Sequence, residues 1–340
     1  MTSPFARIAA VLPLLALSAA AQDKYGGELF ELPGSASSIA MGGASVSSLR
    51  GPATGFFNPA LVGLPQQAGL LLSHREQFGG VVNADLIAAT LPVRGNLALQ
   101  LGLVRRGVDR IPDTRNALID LNGNGLLDDD EILVGSDVTY FNQREWGLLL
   151  SVASRNQEGW QWGLNAKLLG HWLADELGLG VGFDLGVYRA FSRGIRVGAM
   201  LQDVTTTQIH WSTGRWATVM PRITAGFTWT FGLPLFGNAV SLAAEATSRL
   251  DGERLERDLQ LGPVSLLTRM GVELALNESL HLRGGRSTLY PLSIGAGLDF
   301  PAFTVDYAYV GDTAENVFEP THQLALTLNL KALRTLLGSD

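Results

Sequence analysis

Between residues 69 and 330 the chain repeats one unit about fourteen times, an apolar/polar alternation of roughly nine residues closed by Gly, Pro, Asn or Asp. Successive side chains of a strand point to opposite sides. Ile223, Ala225, Phe227, Trp229 and Phe231 therefore share one face, and Arg222, Thr224, Gly226, Thr228 and Thr230 the other. The same split sets Trp160, Trp162, Leu164, Ala166 and Leu168 against Gln161, Gly163, Asn165 and Lys167, and Leu324, Leu326, Leu328 and Leu330 against Gln323, Ala325, Thr327 and Asn329. One face suits lipid and the other water, and no helical period explains these runs. The pattern predicts an all-β fold over 67–330, a transmembrane antiparallel β-barrel of about 14 strands.

The strands fall near 69–78, 83–91, 96–106, 138–152, 160–173, 178–190, 195–204, 218–231, 239–249, 266–276, 279–286, 292–300, 303–310 and 321–330. Their connections differ by parity. The even ones are mostly short turns such as Phe191-Ser192-Arg193-Gly194, Asn277-Glu278 and Pro301-Ala302, while the odd ones include the long loops 107–137, 205–217, 250–265 and 311–320. Outer-membrane barrels have short periplasmic turns and long outer loops, so a chain that starts in the periplasm carries these loops outside. The number of strands argues against a soluble β-sandwich.

Residues 22–66 do not alternate. They run through Ala40-Met41-Gly42-Gly43-Ala44 and Gly51-Pro52 to Phe56-Phe57-Asn58-Pro59-Ala60. Small residues permit tight packing inside a lumen, and the residue before Pro is pushed out of the helical region. The segment reads as an N-terminal plug. Ahead of it, residues 1–21 combine Arg7, an apolar stretch from Ile8 to Leu17 and the ending Ala19-Ala20-Ala21, the pattern of a signal peptide with a mature start at Gln22. Residues 331–340 form a C-terminal tail. Nothing after Gln22 supplies the roughly twenty apolar residues of a helical span, so the expected location is the outer membrane of a Gram-negative-type bacterium.

Composition narrows the chemistry. The chain has no Cys, which excludes a lipoprotein anchor, disulfides, thiolate metal sites and a Cys nucleophile. A formal charge of -7 argues against a nucleic-acid partner. Forty glycines with 46% hydrophobic residues suit a barrel, where Gly eases curvature and apolar side chains face lipid.

The sharpest motif lies in the longest loop, over Asp120-Leu121-Asn122-Gly123-Asn124-Gly125-Leu126-Leu127-Asp128-Asp129-Asp130-Glu131. It fits the twelve-residue calcium loop. Asp120, Asn122 and Asn124 stand at places 1, 3 and 5, Gly125 at the sharp turn, Leu126 offers its carbonyl, Asp128 stands at 9, and Glu131 supplies a bidentate carboxylate at 12. The competing reading is an acidic Asn-Gly turn that holds no ion. A calcium ion here would rigidify the loop and would not be catalytic.

The five histidines, His74, His171, His210, His281 and His322, fall in different strands without metal-site spacing. Gly178, Gly180 and Gly182 lie on the small-residue face of a strand and lack the following helix that a phosphate cradle needs. No G-x-S-x-G occurs, so a serine-hydrolase elbow has no support, although a barrel hydrolase built from scattered residues is a third alternative. Trp160, Trp162, Trp172, Trp211, Trp216 and Trp229 read as girdle residues at the membrane interface. A hydrophobic ligand at the plug could use Met41, Phe56 and Phe57.

Ala40-Met41-Gly42-Gly43-Ala44 followed by Phe57-Asn58-Pro59-Ala60 resembles the N-terminal signature of the PorV/PorQ family, relatives of the FadL-type barrels. Gly107-Val108-Asp109-Arg110-Ile111-Pro112-Asp113-Thr114-Arg115, the acidic Asn-Gly loop, Gly182-Phe183-Asp184-Leu185-Gly186 and Gln202-Asp203-Val204-Thr205-Thr206-Thr207 resemble segments of the branch with a long third loop. The matches cover the plug and the first half of the barrel. The resemblance implies a fourteen-stranded, non-enzymatic outer-membrane barrel whose plug motif contains Met41, Gly42, Gly43, Phe57, Asn58 and Pro59. It also implies binding of exported cargo proteins in type IX-like secretion and surface attachment, with a FadL-like channel for hydrophobic small molecules as the alternative. Partners beyond these are outer-membrane lipids. The chain departs from common outer-membrane practice where Leu330 closes the last strand without a terminal aromatic.

Overall fold

The computed structural model describes residues 28–30, 34–64, 68–92, 96–154, 159–204, 206–233, 238–249, 259–261, 264–288, 290–311, 320–336 and 338. Segment 1–21, expected to be a signal peptide, lies outside them, as do 22–27, 31–33 and 65–67. Wall strands follow in chain order: β1 (Gly69–Gln77), β2 (Val82–Pro92) and β3 (Leu97–Asp113), then the short pair β4 (Leu118–Ile119) and β5 (Ile132–Leu133). Next come β6 (Thr139–Ser154), β7 (Gln161–Leu173), β8 (Glu176–Ala190), β9 (Ile195–Gln202), β10 (Thr207–Trp211), β11 (Trp216–Val219), β12 (Arg222–Leu233) and β13 (Asn238–Arg249). The wall ends with β14 (Leu259–Leu261), β15 (Val264–Ala275), β16 (Leu280–Ser287), β17 (Leu292–Asp299), β18 (Phe303–Gly311) and β19 (Thr321–Asn329).

Seventeen of these segments form one antiparallel sheet, and β1 pairs with β19 to close it. The short β10 resumes the line of β9 against β8, β11 leads into β12, and β14 pairs with the start of β15. The closed wall therefore has 14 strands. Closure leaves no edge, which is how a sheet satisfies every backbone group in lipid. Among the described residues no helix is long and apolar enough to cross a membrane.

Side chains sort as the alternation requires. Ile223, Phe227 and Trp229 are exposed on the outside of β12, while Arg222, Thr224 and Thr228 are buried within. On β7, Trp162, Leu164 and Leu168 face out and Gln161, Asn165 and Lys167 face in. Polar burial is thus concentrated inside the barrel and apolar exposure outside, the reverse of a soluble domain.

Three expectations need correcting. The third strand runs to Asp113, not 106, because its ladder with β6 continues past a bulge between Val108 and Ile111, where Arg110 adopts φ 59°. The segment 205–217 is not plain loop but holds the hairpin β10–β11. Leu330 does not close the last strand; it opens the short helix α2 (Leu330–Leu336), placed after α1 (Ala36–Ala40) of the plug in chain order.

Candidate functional site

The plug sits inside the barrel as short 3-10 turns, Glu28–Phe30, Thr54–Phe56 and Pro59–Gly63, together with α1. A segment this poor in regular structure has few internal partners for its backbone, so the wall supplies them. Glu245 of β13 accepts hydrogen bonds from the N–H groups of Ser45 (2.8 Å) and Val46 (2.9 Å) and from Arg269 Nη1 (2.8 Å). Asn58 is fully buried and donates through Nδ2 to the carbonyls of Val46 (2.9 Å) and Val187 (3.1 Å), while its Oδ1 accepts from Ala60 N (3.0 Å) and caps the turn that Pro59 begins. Gln100 Oε1 accepts from Gly55 N (2.8 Å), and Asn165 Nδ2 donates to Gly55 O (2.9 Å).

Close approach decides where the plug can lie. A Cβ on wall residue Gly186 would overlap the Asn58 side chain and the Pro59 ring, and one on Gly285 would overlap the Met41 and Gly42 backbone. Equivalent notches at Gly163, Gly198, Gly271 and Gly295 meet Pro59, Val46, Met41 and Ala40. The two plug motifs are thus seated in glycines spread around the wall. Gly178, Gly180 and Gly182 play another part: Trp211, Ile209 and Thr207 of β10 lie over them.

Beside the plug the wall ladder is interrupted. β8 pairs with β9 as far as Leu185↔Leu201 and with β10 from Val181↔Gln208, so Gly182–Asp184 face the longer run between Leu201 and Gln208, in which Asp203 (φ 54°) and Thr206 (φ 67°) are left-handed. A buried polar cluster holds this break. Lys167 Nζ lies 2.6 Å from both Asp184 Oδ1 and Asp203 Oδ1, Thr207 Oγ1 donates to Asp203 (2.6 Å), and Asp203 N donates to Asp184 (3.0 Å). Lys167 also sits 5.4 Å from the centre of the Phe30 ring and so touches the plug.

Phe30 stacks on Phe56 at 6.4 Å, and with Phe57 and Val46 they form one side of a small cavity of roughly 60 Å³ whose other side is polar, with Arg222, Glu245, Thr247 and Arg269. Of the three residues expected at a hydrophobic site, Phe56 and Phe57 meet here. Met41 does not; it packs on Ala44 and Ala243. Trp211 is not a girdle residue. It turns into the lumen against His171, 4.9 Å between rings, whereas Trp160, Trp162, Trp172, Trp216 and Trp229 are exposed on the outside. The five histidines stay apart, with His281 near Asp299 and His322 near Tyr307.

The long loop between β3 and β6 folds on itself. β4 and β5 pair at its base. Asp120 accepts from Gly123 N (2.6 Å) and Gly125 N (2.8 Å), Asn122 and Asn124 both donate to Asp128 Oδ2, and Glu131 accepts from Leu121 N (2.9 Å) and Asp128 N (3.2 Å). The Gly125 N–H, and that of Gly123, lower the Asp120 pKa. The expected ligands are neighbours, but among the described residues no three His, Asp or Glu side chains gather to hold a metal. At the loop's entrance Arg115 binds Asp113 through Nη2 (2.6 Å), Nε (2.9 Å) and its backbone N (3.1 Å), which holds the Asp113 carboxyl at about 2.

Solved structures share this architecture. The toluene transporter TbuX of Ralstonia pickettii is 13% identical, with a TM-score of 0.59 over 88% of this chain and 99% of that one. The toluene transporter TodX of Pseudomonas putida is likewise 13% identical, with a TM-score of 0.57 over the same shares. A Pseudomonas aeruginosa FadL homologue reaches 0.51 at 12% identity, over 86% and 98%. The fold is that of these FadL-like barrels. No family model and no curated protein matches the sequence, so the PorV/PorQ resemblance rests on its motifs alone.

Proposed function

We propose that the chain is an outer-membrane channel for hydrophobic molecules of the FadL-like kind, exported by the signal peptide 1–21, and not an enzyme. The observation that carries this reading is the closed 14-stranded barrel with an apolar exterior and an N-terminal plug seated in its lumen, where Phe30 stacks on Phe56. Transfer of an apolar solute from water to apolar surroundings is favourable, and the Phe30–Phe56 stack places aromatic surface where plug and wall meet. Solved barrels of this shape include toluene transporters, which supports hydrocarbons as the first substrates to try. Cargo-protein binding in type IX-like secretion has only the motif resemblance behind it.

The test is uptake of radiolabelled toluene by cells with a lipopolysaccharide outer leaflet, with and without the chain. Faster uptake with the chain, lost in Phe56→Asp, is the expected result. Equal uptake with and without it, for toluene and for a long-chain fatty acid alike, would remove the channel reading.

For the outer loop we propose one calcium ion held by Asp120, Asn122, Asn124, Asp128, Glu131 and the Leu126 carbonyl. The donors are oxygens of the hard type calcium takes. Binding requires the Asn122 and Asn124 amides to turn their oxygens toward the ion in place of the N–H groups now given to Asp128.

A further inference from the structure

The negative charge of this chain is not spread over it. The segments that the loop parity of the sequence assigns to the outside, 107–137, 205–217, 250–265 and 311–320, carry fifteen acidic and five basic residues, whereas the rest of the chain carries seventeen acidic and twenty basic ones. From 116 to 143 there is no Lys or Arg at all, against Asp120, Asp128, Asp129, Asp130, Glu131 and Asp137.

Within that same stretch six large aliphatic side chains stand in solvent. Ile119, Leu121, Leu126, Leu127, Ile132 and Leu133 are between 39% and 66% exposed, and Ile119 pairs with Ile132 across the small hairpin β4–β5. These residues lie beyond the lipid-facing band: β3 and β6 run 17 and 16 residues, well past the roughly ten residues that span a bilayer as a strand. Ile119 and Ile132 share one face of the hairpin and Leu133 lies on the other; aliphatic groups standing in water on so short a loop mark a contact surface, and the acids around them select the partner's charge. An outer leaflet rich in phosphate repels them. A second copy of the same loop brings the same charge and is repelled too.

We propose that the β4–β5 loop is a docking surface for a polypeptide segment that is cationic and aliphatic on one face. The exposed aliphatic side chains, Ile119 and Ile132 first among them, supply the desolvated centre of the contact and the carboxylates its rim. A calcium ion in the loop would lower the charge by two and leave its sign unchanged. The proposal goes beyond the channel reading and does not rest on it, since it concerns the outside of the barrel and not its lumen.

The experiment uses the full mature barrel in zwitterionic nanodiscs, with empty nanodiscs as the blank. Binding is read by fluorescence anisotropy for three labelled peptides of equal length: a Leu/Lys amphipathic peptide, a Lys/Ser peptide of the same charge, and a Leu/Glu amphipathic peptide. The Leu/Lys peptide should bind at least about tenfold more tightly than either other, as loss of one or two desolvated aliphatic contacts implies. The triple variant Ile119→Ser/Leu127→Ser/Ile132→Ser should lose that advantage, and Asp129→Asn/Asp130→Asn should weaken binding by a smaller factor. The barrel's heat-shift on SDS gels shows that each variant is folded. Equal binding of the Lys/Ser peptide, or full binding by the triple variant, would overturn the proposal by reducing the surface to bare charge.

Discussion

The plug and the long β3–β6 loop are each marked by a short motif, and they hold their shapes in opposite ways. Asn58 of the plug reaches carbonyls 12 and 129 residues away, and its neighbours lie in notches cut by wall glycines. Asp120 of the loop bonds N–H groups three and five residues on. One motif is kept by the tertiary environment and the other by its own turn. The lesson is that a plug substitution should reach the whole barrel, while a loop substitution should stay in the loop.

The largest effect that would sharpen this contrast is expected at Lys167, which joins the plug's Phe30 to the two acids at the wall break. Lys167→Met leaves Asp184 and Asp203 buried without their cation, at a cost of about 3–5 kcal/mol. The heat-shift of the folded barrel on SDS gels should move to clearly lower temperature, with part of the loss recovered in Lys167→Met/Asp203→Asn. An unchanged transition in the single variant would mean that the cluster does not hold the break.

Next in size is Gly186→Val. The added side chain meets Asn58 and Pro59, and overpacking of this kind costs about 1–3 kcal/mol. Because the strain is relieved by displacing the plug, the variant should also raise ion conductance across planar bilayers, whereas Gly123→Ala in the loop should not. Identical conductance in parent and Gly186→Val would break the link between the notches and plug position.

Most of this wall was legible in the sequence because lipid outside and water inside impose one simple alternation. It failed where that rule is locally reversed. In β10, Thr207, Ile209 and Trp211 point inward onto the glycine track of β8 while Gln208 and His210 face out, so the segment reads as loop. In β3 the bulge near Arg110 breaks the two-residue period. The plug motif was visible but its seats were not, since Gly163, Gly186, Gly271 and Gly285 are ordinary strand glycines until the plug lies on them. Lys167 was placed on the water face, yet its pairing with Asp184 and Asp203 depends on strand register and a left-handed residue, which no local pattern reveals.

On the loop side the expected effects are smaller. Glu131→Ala removes two carboxylate oxygens that accept from Leu121 and Asp128. It should abolish calcium-dependent protection of 107–137 from protease while leaving the barrel's transition within about 0.5 kcal/mol of the parent, as for substitutions remote from the core. Calorimetry showing no calcium uptake by the parent at millimolar concentration would leave the segment as plain Asx turns. A large fall in barrel stability would contradict the independence of the two regions.

The smallest expected effect is a pH response confined to the loop's entrance. Arg115 holds the Asp113 carboxyl at about 2, below its ordinary 3.8. A group whose pKa is depressed on folding stabilises above its unfolded value and loses that contribution as pH falls through the folded value. The Asp113–Arg115 contact should therefore stay closed at pH 4 and open as the pH approaches 2. Pepsin, active throughout that window, should cut 107–137 faster toward its lower end, and in Arg115→Ala the acceleration should begin near the ordinary carboxylate range. Since Arg115 is exposed to solvent, salt at about 1 M should weaken the difference between parent and variant. Cleavage rates that rise in parallel in parent and Arg115→Ala would show that the entrance is held by the β3–β6 ladder instead, and the loop would then depend on the barrel more than its internal hydrogen bonds imply.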